Sequence, residues 1–172
     1  SSKEYFESGN SLELTILFAI LIVYLVLAAQ FESFRNPLAI ILTVPIAMTA
    51  GLYTLFLTGT SLNVYSQIGF LMLIGLIAKN GILVVEFANQ LREEGMSVDE
   101  AIFESSMIRL RPVLMTTIST MLGAVPLVLS SGAGAESRYS MAIVVLGGIT
   151  LSSLITLYLI PALYRLIENK RV

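Results

Sequence analysis

The chain lacks cysteine, histidine and tryptophan, and its only aspartate is Asp99. Without cysteine there is no disulfide, no thiolate metal ligand and no thiol nucleophile. Without histidine there is no imidazole metal ligand and no Ser-His pair for nucleophilic catalysis. A single aspartate also excludes an intramembrane Asp pair within these residues. Because the serine, cysteine, zinc and aspartyl proteases of membranes all need residue types that are missing, the composition disfavours enzymes.

Charge is scarce as well. Only 13% of the residues are charged, against about a quarter in soluble domains. The formal net charge of −2 gives no reason to expect nucleic-acid binding. In contrast, 56% of the 172 residues are hydrophobic, which is roughly 96 residues and nearly enough for five membrane spans of about 20 residues each. The composition therefore predicts an integral membrane protein.

Five apolar runs have the length of membrane spans: residues 12–31, 38–57, 64–90, 111–130 and 139–165. These runs lack the strict alternation of barrel strands, and helices satisfy their own backbone hydrogen bonds in lipid. We therefore predict an all-α membrane protein with five transmembrane helices. Ser97 and Glu100 fit a capping box, which predicts a short additional helix over residues 97–108 on the cytoplasmic membrane surface. A plain helical connector is the alternative.

The distribution of Lys and Arg predicts the orientation in the membrane. An odd number of spans puts the two ends of the chain on opposite sides. One side carries seven cations, namely Arg35, Arg92, Arg109, Arg111, Arg165, Lys170 and Arg171, whereas the other carries Lys3 and Arg138. Since cytoplasmic loops are enriched in Lys and Arg, we expect a cytoplasmic C-terminal tail over 166–172 and an external lead-in over 1–11. No signal peptide explains an external N-terminus, so we expect this chain to be the C-terminal piece of a larger protein.

Lys79 is the most informative residue, because it lies in the middle of the third span. At 1.5 Å per residue it is about 21 Å from Tyr65 and about 15 Å from Asn89. A lysine at that depth costs about 3 kcal/mol and by default marks an ion or proton pathway. A static ion pair that holds helices together is the alternative. Glu86 is about 10 Å further along the helix, too far to pair with Lys79, and Asn80 cannot neutralise a charge.

The fourth span carries a stripe of hydroxyl side chains: Thr116, Thr117, Ser119 and Thr120. Thr116 lies about 10 Å and Thr120 about 16 Å deeper in the membrane than Arg109. Lys79 lies about 15 Å in on an antiparallel neighbour, which is between these two depths. The hydroxyl groups are therefore candidates to receive Lys79. The alternatives are that they bond their own helix backbone or pack against a neighbour, and that Arg109 is an interfacial anchor.

Several strings resemble the last five transmembrane helices of resistance–nodulation–division efflux pumps. They are LAAQFESFRNPL, SQIGFLMLIGLIAKNGILVVEFANQLREEG, RLRPVLMTTISTMLGAVPLVLSSGAGAESR and GGITLSSLITLYLIPALYRL, and together they cover most of the chain in order. The branch that the chain resembles most is that of the hydrophobe and amphiphile exporters. The heavy-metal branch differs around the lysine, so metal export is disfavoured.

The resemblance implies a proton-driven drug exporter of the bacterial inner membrane, with no cofactor. The five helices would belong to a twelve-helix bundle, and residues 1–11 would be periplasmic. Lys79, Thr116 and Arg109 match proton-relay positions of the family, whereas the role of Asn80 is less defined. The remaining N-terminal half would supply an Asp pair on another helix. Expected partners are two further copies in a homotrimer, a periplasmic adaptor, an outer-membrane channel and the lipid bilayer.

Two rival interpretations stay open. The five helices are a structural or assembly module that transports nothing alone, or they belong to a relative that exports lipids or proteins with the same proton machinery. The periplasmic loops that would decide between drug, lipid and protein substrates are not among these 172 residues.

Overall fold

The computed structural model describes residues 2–32, 34 and 36–168, with side chains from residue 13 onward. This part of the chain forms six helices and contains no strand: α1 Ser2–Gln30, α2 Asn36–Ile41, α3 Val44–Thr58, α4 Val64–Glu93, α5 Val98–Val128 and α6 Ala135–Glu168. Because α2 and α3 together cover one apolar run, five helical units are long and apolar enough to cross a membrane. The predicted all-α membrane class is confirmed.

The run over 38–57 is one span in length but is broken into α2 and α3 at residues 42 and 43. Pro45 lies in the first turn of α3. It has no backbone N–H, and its ring would clash with the carbonyl of Ile41 in a continuous helix. Thr43 instead closes the break, because both its backbone N–H and its Oγ1 donate to the Ile40 carbonyl, at 3.0 and 2.6 Å.

The helix predicted over 97–108 does not stand alone. It continues into the predicted span over 111–130 as the single helix α5. Ser97 caps this helix and forms the expected capping box with Glu100, so that part of the prediction is confirmed. The helix continues because residues 109–111 are good helix formers, and because a membrane helix tolerates the one bond lost at Pro112.

The ends of the chain also differ from the predicted bounds. Helix α1 begins at Ser2, so the predicted lead-in over 1–11 is an extension of the first span. Gly9 within it is a weak helix former, with a cost of only about 1 kcal/mol. Helix α6 extends to Glu168, and the rest of the predicted tail over 166–172 lies outside the described residues, as does Arg35.

Helices α4 and α6 run parallel and form the centre of the bundle. Their starts are joined by Asn63, whose amide donates to Ser140 Oγ at 2.9 Å. Near their ends Tyr164 donates to Asn89 Oδ1 at 2.6 Å. Close packing is possible because glycine lies at the contact: a Cβ at Gly69 would lie 2.9 Å from the Met141 carbonyl oxygen. Small residues are what allow membrane helices to approach this closely.

Two buried apolar clusters fill the bundle, one at each end. Leu27, Ile40, Val85 and Tyr164 belong to the first cluster, with less than 2% of each residue exposed. The second is built around Phe70 and Leu73 of α4. In contrast, α1 presents most of its apolar side chains outward apart from Leu27, and Leu17 is 63% exposed. Such surfaces suit lipid or further transmembrane helices rather than water.

Candidate functional site

Lys79 lies on the one face of α4 that the other described helices leave open. The exposed positions Ile68, Met72, Gly75 and Lys79 recur every three to four residues, which is the spacing of a single helix face. A Cβ placed at Gly75 would meet no atom within 4 Å. We call these four residues the open stripe of α4. A charged side chain in the middle of a long apolar helix therefore points away from this bundle.

The ammonium group of Lys79 has no hydrogen bond or ion pair with the residues that the structure describes. Glu86, the nearest acidic residue along α4, is seven residues away, which is about 10 Å along the helix axis. A lysine ammonium has three donors and needs an acceptor at membrane depth. Lys79 is therefore a cation in the middle of a long apolar helix whose ammonium has no acceptor among the described residues.

Asn80 follows Lys79 in sequence but lies on another face. Adjacent residues of an α-helix are about 100° apart around the axis, so the two side chains diverge. Asn80 is only 8% exposed and lines a small cavity together with Val113 of α5 and Ser153 of α6. The structure thus places Asn80 inside the bundle and does not bring its amide together with Lys79.

Arg109 packs against α4 near the end of the bundle where α4 and α6 terminate. Its guanidinium carbon lies 4.9 Å from the centroid of the Phe87 ring, a cation–π distance. Its Nε is buried and has no hydrogen-bond partner among the described residues. The stacking fixes the depth of Arg109 relative to α4 and leaves a donor available for another acceptor.

Thr116 lies on an exposed part of α5, and its hydroxyl donates to the Val113 carbonyl at 2.9 Å. The contact between Arg109 and Phe87 gives a common reference for the depths of Thr116 and Lys79. Lys79 lies eight residues, about 12 Å, from Phe87 along α4, and Thr116 lies seven residues, about 10 Å, from Arg109 along α5. Lys79 and Thr116 therefore lie at nearly the same depth, with Arg109 about two turns nearer the bundle end.

The buried hydroxyl contact between α5 and α6 involves Thr117 rather than Thr116. Thr117 Oγ1 and Ser153 Oγ are 3.1 Å apart, and both residues are buried. A second hydroxyl, Ser105, joins α5 to α4 by donating to the Val84 carbonyl at 2.6 Å. Sequence alone groups Thr116 and Thr117 in one polar stripe; only their opposite exposure separates them.

A polar cluster that the sequence reasoning missed lies where α4 and α6 end; we call Arg92, Glu168, Asp99 and Arg165 the end cluster. Arg92 Nη1 is 2.6 Å from Glu168 Oε1, and the Glu168 side chain is 3% exposed. Nearby, Arg165 forms a two-point contact with Asp99 at 2.8 and 3.0 Å. The sequence gives one signal for the first pair: Arg92 follows the third predicted span and Glu168 follows the fifth. These positions correspond once α4 and α6 are known to be parallel.

Five helical units that are long and apolar enough to cross a membrane define a multi-pass α-helical membrane protein, and one of them carries a lysine near its middle. The sequence profile of the AcrB/AcrD/AcrF family matches residues 1–168. The chain belongs to this family of resistance–nodulation–division transporters.

Its relatives include proteins named for drug resistance. The chain is 46% identical over 168 residues to the multidrug resistance protein MdtC of Erwinia amylovora and 44% identical to MdtC of Erwinia tasmaniensis. It is also 40% identical over 176 residues to an uncharacterized transporter of Haemophilus influenzae. These matches cover 96–98% of the chain but only 16–17% of each relative. The chain thus spans about one sixth of the length of the curated relatives it matches.

Proposed function

We propose that this chain is part of the proton-translocating membrane domain of an antiporter that exports drugs and amphiphiles. The observation that carries the proposal is Lys79, a mid-depth cation on the open stripe of α4, at the depth of Thr116 and without an acceptor among the described residues. An intramembrane ionisable residue in that position is by default part of an ion or proton pathway. The two relatives named as multidrug resistance proteins support drugs as the exported class.

The proposed acceptor of Lys79 is an Asp pair on a helix in the remaining N-terminal half of the protein. The chain covers about one sixth of its relatives, so most of such a transporter would lie elsewhere. Since the relatives are named as transporters or resistance proteins, we propose transport rather than an enzymatic reaction. A proton gradient would supply the energy, without a cofactor.

In the proposed cycle, Lys79 pairs with the deprotonated carboxylates. Protonation of these groups removes their charge and with it the attraction that holds the ammonium. Lys79 then turns toward Thr116, which lies at its depth on the exposed part of α5. Asn80 is the less favourable acceptor, because its side chain lies on another face of α4 and lines a small cavity with α5 and α6. Arg109 lies two turns nearer the bundle end, and its unpartnered Nε suits the exit of the proton.

The proposed assembly is a homotrimer in the bacterial inner membrane, with the N-terminus in the periplasm and the C-terminus in the cytoplasm. The end cluster at the termini of α4 and α6 is rich in Arg, as expected for the cytoplasmic side. A periplasmic adaptor and an outer-membrane channel would dock on the periplasmic part of the protein, outside this chain.

The proposal is tested by Lys79→Met in the full-length transporter, reconstituted with an imposed proton gradient. Methionine keeps the length of the side chain but removes the charge, so proton-dependent drug export should fall to background while the trimer still forms. Met72→Ala, on the same open stripe, is the matched control and should retain export. Normal export by Lys79→Met would refute the relay. Loss of the trimer in that variant would instead favour a static ion pair.

A further inference from the structure

Asn80 is a buried polar side chain without a hydrogen bond. It is 8% exposed, and no described residue donates to or accepts from its amide. A side-chain amide has two donor hydrogens and an acceptor oxygen. The amide atoms of Asn80 are not fully enclosed, since Arg109 Nε is the buried side-chain atom without a partner among the described residues. The amide therefore faces a space in which a further hydrogen-bonding group can reach it.

The amide borders a small, partly open cavity between α4, α5 and α6 that is just large enough for one water molecule. The space available to the centre of a water-sized sphere is about 10 Å³, close to the minimum for one ordered water. Its polar lining comes from Asn80 on α4 and from Ser153 and Thr156 on α6, and its apolar lining includes Val84 and Val113. Wholly apolar cavities stay dry, whereas a cavity with two to four polar partners holds water.

The hydrogen bonds already made by the two hydroxyl groups leave capacity for one more ligand. Thr156 donates its hydrogen to the Ser152 carbonyl, so its oxygen is left as an acceptor. Ser153 shares one hydrogen bond with Thr117, and its oxygen retains a further lone pair. A water that accepts from the Asn80 amide and donates to Ser153 and Thr156 would make three bonds, the usual number for buried water.

The charge of the cavity lining distinguishes water from a cation. All the residues that line the cavity are neutral, and buried cations are paired or held by charged ligands. We propose that one ordered water molecule occupies this cavity and joins Asn80 of α4 to Ser153 and Thr156 of α6, and through Ser153 to Thr117 of α5. We call these four side chains and the water the three-helix node.

The node has a geometric consequence for α4. It holds Asn80 toward α5 and α6, and because Lys79 is about 100° away around the helix, it keeps Lys79 on the open stripe. This consequence depends on the packing of the three helices and not on transport, so it can fail while the proposed function holds.

The test is cryo-electron microscopy of the full-length transporter in lipid nanodiscs, at a resolution that shows ordered water. We expect one density peak within hydrogen-bond distance of the Asn80 amide and of Ser153 Oγ. An empty cavity, or an Asn80 amide bonded directly to a protein group, would overturn the proposal. Density with the coordination of a metal ion would overturn it as well.

Variants assign the density to these side chains. Asn80→Leu replaces the amide with an apolar group of similar size, so the peak should be lost. The double variant Ser153→Ala/Thr156→Val keeps Asn80 but leaves the water a single partner, and it serves if Asn80→Leu does not assemble. Thr120→Val is the matched control, because Thr120 bonds only the Thr116 carbonyl of its own helix, and the peak should remain. A peak that survives both node variants, or disappears in the control, contradicts the node.

Discussion

Two cations on the same helix, Lys79 and Arg92, have opposite environments. Arg92 is paired with Glu168 at 2.6 Å, and the Glu168 side chain is 3% exposed. Lys79, thirteen residues earlier on α4, has no acceptor among the described residues and lies on the open stripe. Arg92 therefore stabilises the bundle through an ion pair, whereas the described helices leave the Lys79 charge without a partner.

The two environments differ because Arg92 and Lys79 lie at different depths along α4. Arg92 lies at the end of α4, where the parallel helix α6 ends and brings a carboxylate alongside. Lys79 lies in the middle, where α6 offers Ser153 and Thr156 to Asn80 rather than a charge to Lys79. A cation that costs about 3 kcal/mol at that depth has to be compensated elsewhere, and this is why the proposed function assigns its acceptor to another part of the protein.

The largest effect on stability is expected from breaking the pair at the end of α4. Arg92→Met would remove the cation that lies 2.6 Å from the buried Glu168 carboxylate, while Glu168 keeps a further interaction; removal of one partner from a buried pair costs about 3–5 kcal/mol. We expect the lower end of this range, because the Arg92 side chain is 27% exposed. The measurement is the free energy of unfolding of the full-length transporter in mixed micelles.

The double variant Arg92→Met/Glu168→Met is the control for that measurement. It removes both charges and should recover most of the stability, since replacing a whole buried pair by apolar residues is often neutral. If the double variant is as unstable as Arg92→Met, the loss comes from packing and the two cations do not differ in the way described.

The next effect compares two glycines on different faces of α4, Gly69 and Gly75, which are about 120° apart around the helix axis. In Gly69→Ala the new methyl group would lie 2.9 Å from the Met141 carbonyl oxygen and 3.1 Å from Val144 Cβ, so α4 and α6 would have to separate. Overpacking of this kind costs about 1–3 kcal/mol. Gly75→Ala adds a methyl group on the open stripe, where no atom lies within 4 Å, and better helix propensity favours it by up to about 1 kcal/mol.

The measurement is the free energy of unfolding of the two glycine variants of the full-length transporter. We expect a clear loss of stability in Gly69→Ala and no change or a small gain in Gly75→Ala. A large loss at Gly75 would show that another part of the protein packs closely against the open stripe beside Lys79.

Some of these features could be predicted from the sequence and others could not. Apolar run lengths predicted the helical class and the five spans, because length and hydrophobicity are properties of each segment alone. The capping box at Ser97 was predictable for the same reason. The break at Thr43, the burial of Asn80 and the pair between Arg92 and Glu168 depend on which helices are neighbours and how each is rotated, and a single sequence does not specify these. Thr116 and Thr117 show the limit most directly, since they are identical residues that face opposite environments.

The variants Thr116→Val and Thr117→Val test this difference between the two threonines, with a smaller expected effect on stability. Thr117→Val removes the buried contact with Ser153 at 3.1 Å, and interhelical hydrogen bonds in membranes contribute about 0.6 kcal/mol on average. Thr116→Val removes only a bond to its own helix, so its unfolding should be nearly unchanged, whereas proton-dependent export should fall if Thr116 receives Lys79. Equal loss of export in both variants would contradict the assignment of Thr116 as the relay hydroxyl.

The smallest effect is expected at the exposed pair of the end cluster. Asp99 and Arg165 form a two-point contact, but their side chains are 60% and 62% exposed, and exposed pairs contribute about 0.2–1 kcal/mol. Asp99→Asn should therefore lower the unfolding free energy by less than about 1 kcal/mol, and added salt should bring the variant and the wild type together because it screens exposed charges. The loss in Arg92→Met should persist at the same salt concentration, since buried pairs are screened much less. If added salt removed both losses equally, the burial of Glu168 would not distinguish its pair with Arg92 from the exposed pair of Asp99 and Arg165. The difference between Arg92 and Lys79 would then rest only on the missing acceptor of Lys79.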